Sequence, residues 1–395
     1  MSTHNPSNKK SNSLQVARYF WQHAKAYPLY LTGAVLSIPF TVLVSGILPA
    51  LIIADVLSKL SQHHYEAHSI WASFGPELSL YVGLLFLGIA VWRIVDMFMW
   101  RLEMSIQQDI AEEVFRHMLG RSADFHANNF GGSLVSRTNK LLGGYVRVAD
   151  TALYSTYPML ASIVLSIAIL LSRAPLFAAI LATFAVIYIA IAFAISRPVR
   201  ELSTKFATAE SAQTGLLADA ISNVMTIKSF ARSTFENQRF HAATHETRQR
   251  LSAFARMHQR QMGTLGVLNR TISGAALVSA VVAVMLFKAN IGTVFLILSY
   301  TSTIVDQLFQ FSNNGLRNYS RAFGDAGDMV ATLAEPQEIQ DPTQPEAPRI
   351  NRGAILFEDV TFTHDGANDA IFEKLRLSIK PGEKIGLIGH SGSGK

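Results

Sequence analysis

The sequence predicts an α-helical membrane protein with six spans, whose helices continue beyond the bilayer and are followed by the first part of an α/β domain. Three observations carry this expectation. Apolar residues make up 49% of the chain and charged residues only 16%, an apolar content high for a water-soluble protein with an ordinary mixed surface. Long apolar stretches recur at 29–57, 78–100, 151–172, 176–196, 271–287 and 291–311. Most are near or above the roughly 20 residues that cross a hydrocarbon core of about 30 Å. After residue 311 the character changes, through an acidic, proline-rich stretch to short strand-like runs.

In chain order, residues 1–13 are polar and lack the apolar run of a secretory signal, so they read as a disordered tail. Val16, Tyr19, Phe20, His23 and Tyr27 then recur at helical spacing among Arg18, Gln22 and Lys25, as in a helix lying in the membrane interface, with Pro28 separating it from the first span. Pro39 predicts a bend in that span, and the fifth stretch is short and interrupted by Ser273 and Gly274.

Lysine and arginine set the orientation. The connections after spans one, three and five hold only Lys59, Arg173 and Lys288, whereas the N-terminal segment and the connections after spans two and four are rich in both residues. Both termini are therefore expected in the cytoplasm, and the net charge of +6 is explained by topology without nucleic acid as a partner. Absent cysteine excludes disulfides, thiolate metal sites and cysteine nucleophiles. The two long basic connections predict helical limbs projecting roughly 35 to 40 Å from the membrane. Expected turns lie at 128–132 and around 222–225, and short helices at such tips could touch a partner.

The membrane domain spans 14–330 and a linker 331–350, and a soluble α/β domain begins at 351. Ala354–Val360, Leu375–Ile379 and Lys384–Ile388 read as strands, the last entering Gly389-His390-Ser391-Gly392-Ser393-Gly394-Lys395. Glycine, four residues, glycine and lysine open a phosphate-binding P-loop, in which backbone N–H groups cradle phosphate oxygens and lysine supplies charge. Residues 351–395 alone are too few to bury a core.

With these motifs in place, the chain resembles a half-transporter of the ATP-binding cassette (ABC) exporter family, multidrug and lipid type, with the sequence stopping inside the P-loop pattern. The resemblance rests on Ile355–Phe362, on Ser378–Lys384 leading into the P-loop, on Phe125 with Gly131–Arg137, and on Ile221–Phe230. It implies a six-helix transmembrane domain joined to a nucleotide-binding domain and paired with a second half, identical or different, in the plasma (inner) membrane. It also implies ATP and Mg²⁺ as cofactors, with the Mg²⁺ ligands beyond residue 395. Ser136, Arg137, Asn139, Val224, Met225 and Thr226 would be coupling residues. His364 stands where the family usually carries an adenine-stacking aromatic, and Asn139-Lys140 replaces an expected acidic residue. Export of an unidentified substrate by alternating access follows from the resemblance. Residues 1–395 alone are expected not to hydrolyse ATP, because phosphoryl transfer needs metal and an oriented water as well as a cradle.

On span six, Ser299, Thr303, Asp306, Gln310 and Asn313 share one helical face that Arg317 continues. The stripe is either a substrate pathway or a set of helix contacts in which Asp306 has a basic partner. Arg93 and Asp96 can pair on one helix face, and His63, His64 and His68 read as a solvated loop. Two other classes remain open: a membrane binding or channel module with a degenerate nucleotide-binding domain, and a soluble helical scaffold.

Overall fold

The computed structural model describes residues 9–62, 70–129, 131–336, 344, 353–363 and 370–389. It divides into a helical unit, residues 1–338, and a smaller unit, residues 339–395, each taken by itself below.

Six helical stretches in the first unit are long and apolar enough to cross a membrane. Helix α1, Lys9–Ala24, precedes them, starting inside the expected tail. The first span is α2, Pro28–Val42, continuing through a π-helical turn, Leu43–Ile47, into α3, Leu48–Gln62. The second is the unbroken α4, Ile70–Leu119, and the short α5, Ala123–Asn128, follows. The third comprises α6, Gly131–Asp150, a π-helical turn at Thr151–Thr156, and α7, Tyr157–Arg173. The fourth and fifth are α8, Pro175–Ser222, and α10, Ser233–Phe287, joined by α9, Val224–Ser229. The sixth is α11, Ile291–Gln310, a π-helical turn at Phe311–Gly315, and α12, Leu316–Ala334.

Packing follows from the two solvents the helices meet. Tyr188, Leu181, Leu265, Leu296, Ile304 and Leu308 are buried where α8, α10 and α11 meet. A second cluster joins α1, α2, α4, α6 and α12 through Val16, Ile38, Met99, Ile106, Leu141 and Met329. Exposed apolar residues such as Phe86 and Ile89 on α4 and Met285 on α10 suit lipid contact. Hydrocarbon also forbids unpaired backbone groups, and the π-helical turns show the remedy. Within the first, Leu48 N–H bonds the Leu43 carbonyl, and the buried Tyr300 hydroxyl on α11 donates to the Ile47 carbonyl at 3.2 Å. In the third span the Thr156 hydroxyl donates to the Thr151 carbonyl at 3.0 Å. Close backbone approach fixes α11 against α3: a Cβ on Gly292 would sit 2.2 Å from the Ala54 carbonyl oxygen.

Beyond Trp100, α4 becomes polar, and α1 lies along this extension. Tyr19 donates to Glu113 Oε2 at 2.5 Å, His23 Nε2 lies 3.1 Å from the same oxygen, and Tyr27 donates to Asp109 at 2.7 Å. The Glu113 hydrogen bond raises the His23 pKa against a smaller opposing effect of burial. His23, followed by Tyr19, holds the Glu113 carboxyl below its ordinary value, and burial followed by Glu113 keeps the Tyr19 phenol protonated.

The second unit shows two antiparallel strands, β1, Ile355–Phe362, and β2, Phe372–Ile379, in register Ile355↔Ile379. Arg376 clamps Asp359 across the pair with bonds of 2.5 and 2.7 Å. The strand expected at Lys384–Ile388 is not formed: the segment joins no ladder among the described residues, and Leu387 and Ile388 are exposed. A buried strand needs neighbours that satisfy its backbone on both edges. Among the described residues none lies beside it.

Two outcomes follow. Gly292→Ala should lower the thermal stability of the detergent-purified protein by about 1–3 kcal/mol, whereas Gly83→Ala on α4, where a Cβ meets nothing within 4 Å, should not. Protection of α1 amides from hydrogen exchange should depend on pH. His23 has a raised pKa in the folded state, so its contribution is complete below its ordinary 6.5 and lost as pH rises through that raised value. Glu113 has a lowered one, so its contribution is lost only as pH falls through that lowered value. Protection at about pH 6 should exceed that at about pH 9 after correction for intrinsic exchange, and Glu113→Gln should flatten the difference.

Candidate functional site

Two helical arms extend past the spans, each with a short helix at its tip. In the first, Ser122 caps α5 by accepting from the Phe125 N–H at 3.2 Å. The Asn129 side chain closes its other end on the Phe125 carbonyl at 2.9 Å. The Arg121 guanidinium lies 5.0 Å from the Phe125 ring centroid. It also donates to the Thr332 and Pro336 carbonyls at 2.6 and 3.0 Å and to Glu335 at 3.1 Å. A cation therefore sits at the C-terminal end of α12, on the Thr332 carbonyl of its last turn and the Pro336 carbonyl just beyond it, where the helix dipole favours positive charge. In the second arm α9 presents Val224 and Met225 outward, and Phe230 beyond it is also exposed.

The sequence-predicted coupling residues separate accordingly. Val224, Met225 and Thr226 occupy the tip helix α9. Ser136, Arg137 and Asn139 lie on the long α6 and not on α5, because Gly131-Gly132 already opens the returning helix. Ser136 and Asn139 line a cavity of about 520 Å³ with Lys140, Arg147, Arg321 and Asp325.

A second cavity, of about 630 Å³, lies between α8, α10 and the sixth span, beyond Ser196 toward the arms. One wall is a stack across α8 and α10: Phe206 on Phe254 at 6.4 Å and Phe254 on His258 at 5.9 Å, nearly parallel. Opposite stand Ser312, Asn313 and Arg317, with Arg200 and Glu210 also on the lining. Asp325 borders both cavities, 2.8 Å from Arg147 and 3.7 Å from Arg321. It ties α6 to α12 between an arm and the cavity wall. Sequence reasoning did not single out Arg121, Asp325 or the aromatic stack. Periodicity on α8 and α10 would have placed Phe206 and Phe254, but not their facing each other.

The span-six stripe divides. Asn313 and Arg317 line the larger cavity. Thr303, Asp306 and Gln310 are exposed and Ser299 is half-buried, on the face turned away from the chain's own core. Asp306 has no ion-pair partner among the described residues, so the expected basic neighbour is not found there. Gln310 accepts from Asn314 at 3.1 Å, and Arg317 donates to Asn314 at 3.2 Å. Arg93 does pair with Asp96, at 3.1 Å, and Tyr154 donates to the same carboxylate at 2.9 Å. Of the P-loop run only Gly389 is described; His390, Ser391, Gly392, Ser393, Gly394 and Lys395 lie outside the described residues, as do His364, His63, His64 and His68. Among the described residues no group of three histidines or carboxylates could hold a metal ion.

Arg121 generates a direct test. Its side chain is 5% exposed, so truncation leaves carbonyls without their charged donor. Arg121→Ala should cost about 1–3 kcal/mol in thermal unfolding. Arg121→Lys should recover only part of the loss, since one ammonium cannot reproduce a planar fork. An unchanged midpoint for Arg121→Ala would show that the α12 terminus is held by other contacts.

Residues 32–308 match the family model of the ABC transporter transmembrane region. The chain is 27% identical over 71% of its length to an uncharacterized ABC transporter ATP-binding protein of Haemophilus influenzae, covering 45% of that protein. It is 24% identical over 73% of its length to an ATP-dependent lipid A-core flippase of Nitrosococcus oceani, covering 48%. It is also 24% identical over 80% of its length to a probable multidrug resistance ABC transporter ATP-binding/permease protein of Bacillus subtilis, covering 55%. The chain thus spans about half the length of these relatives. With its six membrane-length helices, this chain is a multi-pass integral membrane protein and belongs to the ABC transporter family.

Proposed function

We propose that the chain is one half of an ATP-driven exporter that works by alternating access, paired with a second half in the plasma (inner) membrane and with both termini in the cytoplasm. The observation that carries this reading is the pairing of a polar and aromatic cavity with the two arms that end in α5 and α9. A cavity joined by rigid helices to exposed tips can be opened or closed by a movement delivered at those tips. Asp325, bonded to Arg147 on α6, supplies one link between arm and cavity wall.

The donor set of Gly389–Lys395 suits a nucleoside triphosphate: a glycine-rich backbone offers N–H groups, and Lys395 offers charge for the terminal phosphates. ATP held there would supply the free energy of the cycle, with the Mg²⁺ ligands lying beyond Lys395. This chain's own residues do the mechanical part. Met225 and its neighbours on α9 and Phe125 on α5 receive the movement, and α8, α10 and α12 carry it to the cavity. The substrate meets aromatic faces at Phe206, Phe254 and His258, and polar groups at Asn313, Arg317 and Arg200. The exposed face with Thr303, Asp306 and Gln310 meets the second half or a water-filled path between the halves. Bound nucleotide shifts such an equilibrium only through unequal affinity for its two states.

Residues 1–395 contain no cysteine, so one introduced thiol can be labelled by itself once any cysteine elsewhere in the full-length protein is replaced. In the full-length protein, spin labels on Thr303→Cys should give one inter-subunit distance distribution without nucleotide and a different one with trapped Mg-ATP. Lys395→Ala should lower ATP hydrolysis by about 100-fold or more and abolish that change. One unchanging distribution would sink alternating access, and no inter-subunit signal would exclude pairing of two identical halves.

A further inference from the structure

Helix α7 ends at Arg173 and α8 starts at Pro175; α10 ends at Phe287 and α11 starts at Ile291. Both short turns lie at the end of the bundle opposite α5 and α9, and together they border a cavity of about 680 Å³. The walls are apolar, with Leu176, Val278, Val282 and Phe287 among them, and Arg173 and Lys288 are both on the lining. The convergence is selective. The three connections at this end contain only Lys59, Arg173 and Lys288 as lysine or arginine, and two of them line this cavity.

Their charges are incompletely matched. Lys59 pairs with Glu77, but Arg173 lies a loose 3.6 Å from Asp55, whose side chain is 57% exposed. Lys288 has no carboxylate partner among the described residues. Its backbone sits at φ 50°, ψ 35°, a left-handed conformation usually left to glycine at a helix end. The position is fixed from both sides: Ala289 N–H bonds the Ala283 carbonyl at 3.0 Å, and Asn290 caps α11 through the Thr293 N–H at 2.8 Å. A lysine in a position that favours glycine holds positive charge at the mouth of an apolar cavity.

We propose that this cavity binds one anionic phospholipid, with the phosphate between Arg173 and Lys288 and an acyl chain along the apolar walls. The guanidinium can take two phosphate oxygens at once, and the ammonium adds a point charge. The site lies at the ends of the spans, where headgroups reside, and a free phosphate would leave the apolar walls unfilled. It is separate from the cavity between α8, α10 and α12 and rests only on membership of the membrane, so its failure would leave the transport reading untouched.

The test uses full-length protein equilibrated with equimolar dioleoylphosphatidylglycerol and dioleoylphosphatidylcholine, with retained lipid counted by native mass spectrometry. Wild type should retain phosphatidylglycerol preferentially, by roughly tenfold or more per chain. Arg173→Gln with Lys288→Gln should bring that preference close to parity, whereas Arg173→Lys with Lys288→Arg should keep most of it. Val278→Trp, which fills the apolar part and leaves both charges, should reduce retention. Each variant is compared at a matched unfolding midpoint. Equal retention of both lipids by wild type, or a preference that survives the double glutamine variant, would overturn the proposal. Displacement of the lipid by inorganic phosphate alone, or undiminished retention by Val278→Trp, would do the same by removing the acyl chain from the site.

Discussion

The structure depends on one constraint: inside hydrocarbon, every backbone N–H and C=O must find its partner within the protein. This makes each crossing a helix and explains the length of α4, α8 and α10, which run on without a break from the apolar region into the arms. A break at the membrane boundary would expose backbone groups at the worst depth. The π-helical turns in the first, third and sixth spans are the permitted irregularities. Where the hydrogen-bond register changes, a hydroxyl from Tyr300 or Thr156 takes up a carbonyl. Such turns shift the helical face that follows them. In the sixth span the turn at Phe311–Gly315 carries Ser312 and Asn313 onto the cavity lining, while Asp306 and Gln310 before it face away from the core.

The spans were legible in the sequence because hydropathy over some 20 residues reports solvent directly. The limbs were legible for a similar reason, since polar and apolar residues alternate at helical period with few breakers over the stretches that became the ends of α4, α8 and α10. Local signals also placed the tip at Asn223-Val224. The first tip was read a few residues late, at 128–132. Its true helix is capped by Ser122, and one serine after a glycine and an arginine is a weak signal beside two adjacent glycines. The strand expected at Lys384–Ile388 shows the opposite limit: its residues favour a strand, but a strand is a property of pairs.

What could not be read was contact across long sequence separations. Arg121 is one arginine among many in a basic connection, and nothing near it in sequence indicates carbonyls more than 200 residues away. Asp325 is equally anonymous, although it holds Arg147 and borders two cavities. The sequence could offer the stripe on span six only as a face. The structure shows that Thr303, Asp306 and Gln310 of this face are exposed while Asn313 and Arg317 line the cavity, and that the polar residues lining it come as much from α8 and α10 as from the stripe.

That exposed face constrains the assembly. A carboxylate at Asp306 directed into lipid is costly, and no basic residue within the chain meets it among the described residues. Rotating the helix to bury it would pull Tyr300, Ile304 and Leu308 out of the core. The polar face is therefore a consequence of correct packing on the other side, and it needs water or a second protein surface to cover it. Under the proposed pairing of two halves, both requirements are met at once: the apolar side of α11 holds one half together, and its polar side lines what the halves enclose.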